Sequence, residues 1–285
     1  MPRFCLTGTT CRSIFLVFSL LTVAHAQPSV ASVPAVRTAD GSPLAQDIAA
    51  AGRLRMQSQR LAKLYQQAVM GLNAAPAQQQ IALAVSDADS EFGRLARYGK
   101  KPAIQRTWSR SDALWQELRA VLKKAPNAAS TERVNQLADE LMIHTGKLAM
   151  QIEAEAETPV GRLLDQSSRL NMLAQRLARL YLQAQGGDRS QGVLTDIEQA
   201  RREFSTGLHE LDTARENSSV SRENIALAKN QWIFFDSAIS RMGNTGRDGK
   251  AVLDVATSSE RIAQVLDATS AQYVRDYAEG QRSVK

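Results

Sequence analysis

Apolar and polar residues alternate with the period of an α-helix along most of the chain from Pro43 onward. Alanine, leucine, glutamine, arginine and glutamate dominate this part, and runs that alternate β-branched with polar residues are absent. Short segments rich in Gly, Pro, Asn or Ser interrupt the pattern regularly, at residues 73–76, 99–102, 125–127, 157–161, 186–188, 217–219 and 243–246. These interruptions predict eight helices of roughly 20 to 30 residues each, and therefore an all-α fold.

The two halves of the chain repeat each other. Residues 51–65 align with residues 167–181, and nine of the fifteen aligned positions are identical. Each half continues with a Glu-Phe pair in its second predicted helix and a tryptophan in its third (Glu91-Phe92 and Trp115; Glu203-Phe204 and Trp232). This order predicts two tandem antiparallel four-helix bundle modules, the first over residues 43–157 and the second over residues 158–281.

The N-terminus has the order of a secretory signal peptide. Arg3 and Arg12 precede an apolar run over residues 13–23, and Ala24-His25-Ala26 offers a small-x-small cleavage site. The run is about half the ~20 residues of a membrane helix, which favours a cleaved peptide over an uncleaved anchor. We therefore expect a signal peptide over residues 1–26, cleavage after Ala26, a flexible lead over residues 27–42, and a periplasmic protein.

Composition excludes several kinds of chemistry. Both cysteines, Cys5 and Cys11, lie in the predicted signal peptide, so a mature chain has no thiol for disulfides, metal sites or catalysis. His144 and His209 lie in different halves, without the spacing of metal ligands, and no nucleotide-binding or nucleophile motif occurs. The 35 Lys and Arg against 29 Asp and Glu are interspersed, so nucleic acid is not expected as a partner. The sequence predicts neither an enzyme nor a bound metal or cofactor.

The first helix carries a candidate anion site. On a helical wheel, Leu54, Leu61, Leu64, Tyr65 and Ala68 form one apolar stripe that must face the bundle interior. Arg55 lies on a flank with the small residues Ala51, Ser58 and Ala62, where a neighbouring helix can approach and exclude water. The forked donors of such an arginine match two oxygens of a carboxylate, nitrate or nitrite. A solvated Arg55, or one that forms an interhelical salt bridge, is the alternative interpretation.

Two other arginines recur in both halves. Arg53 corresponds to Arg169, and Arg60 corresponds to Arg176. Because recurrence within one chain favours a shared structural role, we expect these four arginines to bridge acidic residues on neighbouring helices.

The stretch Ala51-Gly52-Arg53-Leu54-Arg55-Met56-Gln57-Ser58-Gln59-Arg60 resembles the A-G-x-x-R-M-x-S-x-R signature of NarX-type nitrate/nitrite sensor kinases and PilJ-type methyl-accepting transducers. The resemblance implies a periplasmic four-helix bundle that dimerises. It also implies that one nitrate binds between two first helices through the arginine before the methionine. In this sequence that arginine is Arg55, and its motif neighbours Gly52 and Ser58 are further candidate ligand-binding residues. The second copy departs from the signature, because Asn171 stands in place of Arg55, Ser168 in place of Gly52 and Ala174 in place of Ser58.

The duplication suggests that one chain can imitate such a dimer. If the first helices of the two halves pack together, Arg55 faces Asn171. A bound anion then accepts hydrogen bonds from one charged guanidinium and one neutral amide. In a homodimer, Arg55 of one chain instead meets Arg55 of another. Both arrangements stay open at this point.

Two functions follow from these observations. The first is a soluble periplasmic module that binds or senses a small anion such as nitrate or nitrite and passes its state to a membrane-bound sensor or transducer. The second is a structural or interaction protein of the cell envelope, or of a type IV pilus or chemotaxis system, in which Arg55 binds nothing small. Ligand-dependent melting separates the two, because a ligand that binds only the folded state raises its stability.

Overall fold

The computed structural model describes residues 43–155, 159–243 and 249–283. The predicted signal peptide and flexible lead lie outside the described residues. Eight α-helices follow one another: α1 (Pro43–Val69), α2 (Ala74–Leu95), α3 (Pro102–Leu122), α4 (Ala128–Glu153), α5 (Pro159–Gly186), α6 (Gln191–Thr213), α7 (Ser219–Ser240) and α8 (Gly249–Ser283). Short 3₁₀ segments extend α2 over Ala96–Lys100 and α7 over Arg241–Gly243. No strand occurs among the described residues, which confirms the all-α prediction.

Local chemistry explains why the helices begin and end where they do. The turn between α1 and α2 needs left-handed backbone at Gly71 and Asn73, the residue types that adopt it most readily. Asn127 caps α4 by accepting a hydrogen bond from the Ser130 amide, and Ser218 caps α7 by accepting one from the Ser221 amide. Ser190 caps α6 in the same way, by accepting a hydrogen bond from the Val193 amide.

The two central helices, α1 and α5, run parallel and side by side. Gly52 lies against Ser168, Gln59 accepts a hydrogen bond from Arg179, and Gln66 lies against Gly186, so positions along both helices increase in the same direction. Gly52 and Ser168 occupy equivalent positions of the repeat, so an approximate local twofold axis relates α1 to α5. The two equivalent helices of the repeat, α1 and α5, therefore pack directly on each other.

The other helices surround this pair. Helix α4 packs on α1 and α8 packs on α5, while α2 and α6 cover α1 and α5 from outside. Equivalent aromatic stacks recur in the two halves, Phe92 on Trp115 and Phe204 on Trp232. The apolar core runs through both halves without interruption. The described helices therefore form one compact unit, and the boundary between two modules at residues 157–158 stays a prediction.

Substitution of Gly52 tests the close approach of α1 and α5. A Cβ at this position would lie 2.4 Å from Ser168 Oγ and 2.5 Å from Ser168 Cβ, so one of the helices must shift. We expect Gly52→Ala to lower the free energy of unfolding by about 1–3 kcal/mol, as overpacking does, measured by urea unfolding.

The matched control is Gly93→Ala on the exposed face of α2, where nothing lies within 4 Å of the added Cβ. It should raise stability by about 0.5–1 kcal/mol, because alanine restricts the unfolded chain more than glycine does. Adding Ser168→Gly to Gly52→Ala should recover part of the loss. Equal effects at Gly52 and Gly93 would contradict the close packing of α1 and α5.

Candidate functional site

The centre of the bundle, where α1 and α5 pack together, contains many buried polar side chains. Helix α1 is buried on almost every side, although its sequence is not hydrophobic. Its buried polar residues are Asp47, Arg55, Gln57, Ser58, Gln59, Lys63, Gln66 and Gln67, and those of α5 are Ser167, Ser168, Asn171, Gln175 and Arg179. Since buried polar groups are costly unless they are hydrogen-bonded, the partners of these side chains decide how α1 and α5 are held.

Lys63 connects α1 to the last helix of the chain. Its side chain is completely buried, and the ammonium group donates to Ser259 Oγ at 3.0 Å and forms an ion pair with Glu260, both on α8. Arg60, one turn earlier, donates from Nε to both carboxylate oxygens of Glu260 at 3.0 Å. Glu260 therefore receives two cations from α1.

Arg179 makes the reciprocal connection from α5. Its side chain is 2% exposed, and Nη2 donates to Asp139 of α4 at 2.8 and 3.1 Å. Its Nε donates to Gln59 Oε1 at 2.9 Å, and Gln59 in turn donates to Asp139 Oδ1 at 3.0 Å. A cation from the second half of the chain is thus held by an acid of the first half.

The two ion pairs are equivalent. Lys63 and Arg179 align in the repeat, as do Gln59 and Gln175. Gln59 donates to the carbonyl of Ala138, one residue before Asp139, and Gln175 donates to the carbonyl of Ser259, one residue before Glu260. A buried cation of each central helix therefore forms an ion pair with an acid on the fourth helix of the opposite half. We call Lys63–Glu260 and Arg179–Asp139 the crossed ion pairs.

The surroundings of the crossed ion pairs shift the pKa values of Lys63, Glu260 and Arg179. Burial lowers the pKa of Lys63 to about 8, although the negative charge of Glu260 opposes the shift. Burial alone would raise the pKa of Glu260, but the charges and hydrogen bonds of Lys63 and Arg60 outweigh it and lower the pKa to about 2. Burial also lowers the pKa of Arg179, against the charge of Asp139.

Arg55, the predicted anion ligand, lies in the seam between α1, α4 and α5. Its side chain is buried, and Nη1 donates to Asp165 Oδ1 of α5 at 3.1 Å. Gly146 of α4 makes room for it, because a Cβ there would lie 3.2 Å from Arg55 Cδ. Burial lowers the pKa of Arg55, and the Asp165 carboxylate opposes this shift. Arg55 therefore forms an interhelical salt bridge, the alternative to a free anion ligand.

The other predicted ligand residues are engaged elsewhere. Ser58 donates its hydroxyl proton to the carbonyl of Arg55 at 2.7 Å, and Gly52 packs against Ser168. The Asn171 amide donates to Ala263 O at 3.3 Å and to Asp267 Oδ1 at 2.8 Å, both on α8. The structure therefore brings α1 and α5 together but directs Arg55 and Asn171 to different partners.

Three of the four recurrent arginines bridge to the second helix of their own half. Arg53 pairs with Glu91 on α2, and Arg169 pairs with Glu203 on α6 at 2.9 Å. Arg176 pairs with Asp196 on α6 at 2.8 Å. Arg60 differs, because its carboxylate partner is Glu260 on α8.

The sequence interpretation missed Lys63 and Arg179 as central residues. The available signal was that both copies carry a cation at this position, between leucines and alanines of the aligned stretch. The acids that receive them, Glu260 and Asp139, lie in helices with no recognised sequence repeat, so only the fold reveals the pairs.

Residues 38–141 match a protein family described as PilJ, the type IV pili methyl-accepting chemotaxis transducer N-terminal region. The match covers α1, α2, α3 and the first half of α4, which is less than half of the chain. No curated protein and no solved structure is found to match. The first half is therefore similar to the N-terminal region of chemotaxis transducers, whereas the NarX-type resemblance and the second copy stay predictions.

Removal of the Glu260 charge tests the crossed ion pairs. In Glu260→Gln, the buried ammonium of Lys63 loses its counter-charge, so we expect the free energy of unfolding to fall by about 3 kcal/mol. The control is Glu91→Gln, because its partner Arg53 is 40% exposed and solvent replaces the lost pair. That variant should lose less than ~1 kcal/mol in the same urea titration. Similar losses in both variants would contradict a central role for Lys63–Glu260.

The same pair predicts a pH dependence. The pKa of Glu260 lies near 2 in the folded protein and near 4.5 ordinarily, so its contribution to stability is complete above pH 4.5 and is lost as pH falls toward 2. Unfolding free energy measured from pH 5 to pH 2 should therefore decline less steeply in Glu260→Gln than in the unmodified protein. Parallel curves would show that Glu260 titrates normally.

Proposed function

We propose that the protein is an exported helical module of the chemotaxis-transducer type, which acts in signal transduction with a membrane-bound partner. The observation that carries the proposal is the similarity of residues 38–141 to the N-terminal region of methyl-accepting transducers. That region includes α1, the helix that lies at the centre of the bundle. Among the described residues, no helix is long and apolar enough to span a membrane.

The packing of α1 and α5 supports a signalling role. Two parallel helices are joined through hydrogen-bonded polar side chains, and these contacts have discrete geometries. A displacement of α1 along α5 must break the Arg179–Gln59 and Arg55–Asp165 contacts together, rather than slide continuously. Such stepwise helix shifts are a common means by which bundles change state.

Complementation tests this function. Deletion of the gene in its own host should reduce surface movement or its chemotactic bias without slowing growth, and the full chain should restore it. A chain that lacks residues 2–26 should fail to restore it, because the proposal requires export. Restoration by the leaderless chain, or a deletion without effect on movement, would contradict the proposal.

A second function is favoured by one observation, the position of Arg55. Arg55 is only 7% exposed, and its guanidinium bonds to a single oxygen of Asp165, which lies on the neighbouring central helix. We infer that a planar anion such as nitrate or nitrite can take the place of the Asp165 carboxylate, since both offer oxygens to the same fork. The resident carboxylate then competes with the ligand and keeps its affinity low.

Two variants test anion binding at Arg55. Asp165→Asn removes the competing charge, so nitrate and nitrite should raise its melting temperature more than that of the unmodified protein, at ionic strength held constant with chloride. In Asp165→Asn combined with Arg55→Ala, the response should disappear.

Arg176→Ala combined with Asp165→Asn is the control, because Arg176 pairs with Asp196 on α6 and should leave the response intact. Calorimetric titration should give the same order of affinities. A flat response of Asp165→Asn to millimolar nitrate would end the anion proposal and leave the signalling proposal standing.

A further inference from the structure

A groove lies between α2 and α3, away from the central seam. Its volume is about 440 Å³, which falls within the range of small-molecule pockets. Ile81 and Val85 of α2 and Leu122 of α3 supply apolar walls. A ligand with an apolar body can therefore gain from burial in the groove.

The groove is cationic at one end. Arg119, Lys123 and Lys124 line it where α3 ends, and no acidic residue is among the described residues that line it. Lys123 and Lys124 are exposed and form no ion pair with any residue that the structure describes. The charges of Lys123 and Lys124, beside apolar walls, favour an anion that carries an apolar group.

Arg119 is held in position and is incompletely bonded. Its Nη2 pairs with Asp89 of α2 at 2.8 Å, and the other oxygen of Asp89 accepts a hydrogen bond from Trp115 Nε1 at 2.9 Å. Its Nε is buried and has no hydrogen-bond partner among the described residues. An unpaired buried donor is unfavourable, and a carboxylate in the groove would supply an acceptor.

The second half lacks this arrangement. Asp236 of α7 stands where Arg119 stands in α3, and it pairs with Arg201 of α6, which stands where Asp89 stands in α2. The second helix thus supplies the acid of this ion pair in the first half and the cation in the second half. The pair's orientation in the first half places the cation, rather than the acid, in the groove.

We propose that the groove between α2 and α3 binds a small organic monocarboxylate with an apolar body, of the size of benzoate or hexanoate. The carboxylate lies near Arg119, Lys123 and Lys124, and the apolar body lies between Ile81, Val85 and Leu122. Nitrate and other bare anions gain nothing from these apolar walls. This site shares no residue with Arg55 or the crossed ion pairs, so it stands or fails separately from the proposed function.

Titration of the mature chain, residues 27–285, tests the site. The probes are benzoate and hexanoate, the neutral benzamide and hexanamide of matching shape, and acetate, which lacks the apolar body. Binding is followed by calorimetry and by the methyl resonances of Ile81 and Leu122. We expect benzoate and hexanoate to shift these resonances and to bind at least tenfold more tightly than the amides or acetate.

Two variants connect binding to the cations. Arg119→Gln should weaken benzoate binding at least tenfold, and Lys123→Gln combined with Lys124→Gln should weaken it severalfold without affecting the fold, because both lysines are exposed. Arg110→Gln is the matched control, since this arginine of α3 pairs with Glu140 and does not line the groove. Equal affinity for benzoate and benzamide, or unchanged affinity in both groove variants, would overturn the proposal.

Discussion

The crossed ion pairs are the constraint on which the bundle depends. Lys63 and Arg179 are buried cations, and a buried charge is tolerated only beside a counter-charge with good hydrogen bonds. Because the counter-charges lie on α8 and α4, neither half of the chain satisfies its own central helix. The four helices α1, α4, α5 and α8 must therefore assemble in one register. A well-packed apolar core could be equally stable, so we interpret the charges as devices that specify the pairing of α1 with α5 rather than as a source of extra stability.

Differences between the two halves compensate for each other, so both halves keep this arrangement. The longer Arg179 meets the shorter Asp139, while Lys63 meets the longer Glu260. Two helical turns beyond these acids lie Gly146 on α4 and Asp267 on α8. Gly146 leaves room for the large Arg55, and Asp267 accepts a hydrogen bond from the small Asn171. The replacement of Arg55 by Asn171 is thus matched on the partner helix, where Asp267 stands in place of Gly146.

Much of the fold could be predicted from sequence, because the residues near each helix end determine where that helix stops. Proline, glycine and asparagine interrupt the helical pattern wherever the backbone turns, and the repeat of residues 51–65 identified α1 and α5 as equivalent helices. The environment of α1 could not be predicted, since a wheel finds one apolar stripe and α1 is buried on nearly all sides. Its polar faces resemble solvated ones until α4, α5 and α8 cover them. The partner of Arg55 was equally hidden, because Asp165 lies on α5 and nothing in the sequence relates the two positions.

The polar centre also bears on how such a bundle can respond to a signal. Each hydrogen bond in the seam between α1 and α5 is either made or broken, so one helix shifts past the other in discrete steps. Arg55–Asp165 is the contact best placed to be exchanged, because it is a single hydrogen bond and Asp165 is 17% exposed, while Lys63 has no exposed surface. We therefore interpret the crossed ion pairs as the fixed point of the bundle, and the Arg55 end of the seam as the part that the proposed ligand or partner would open.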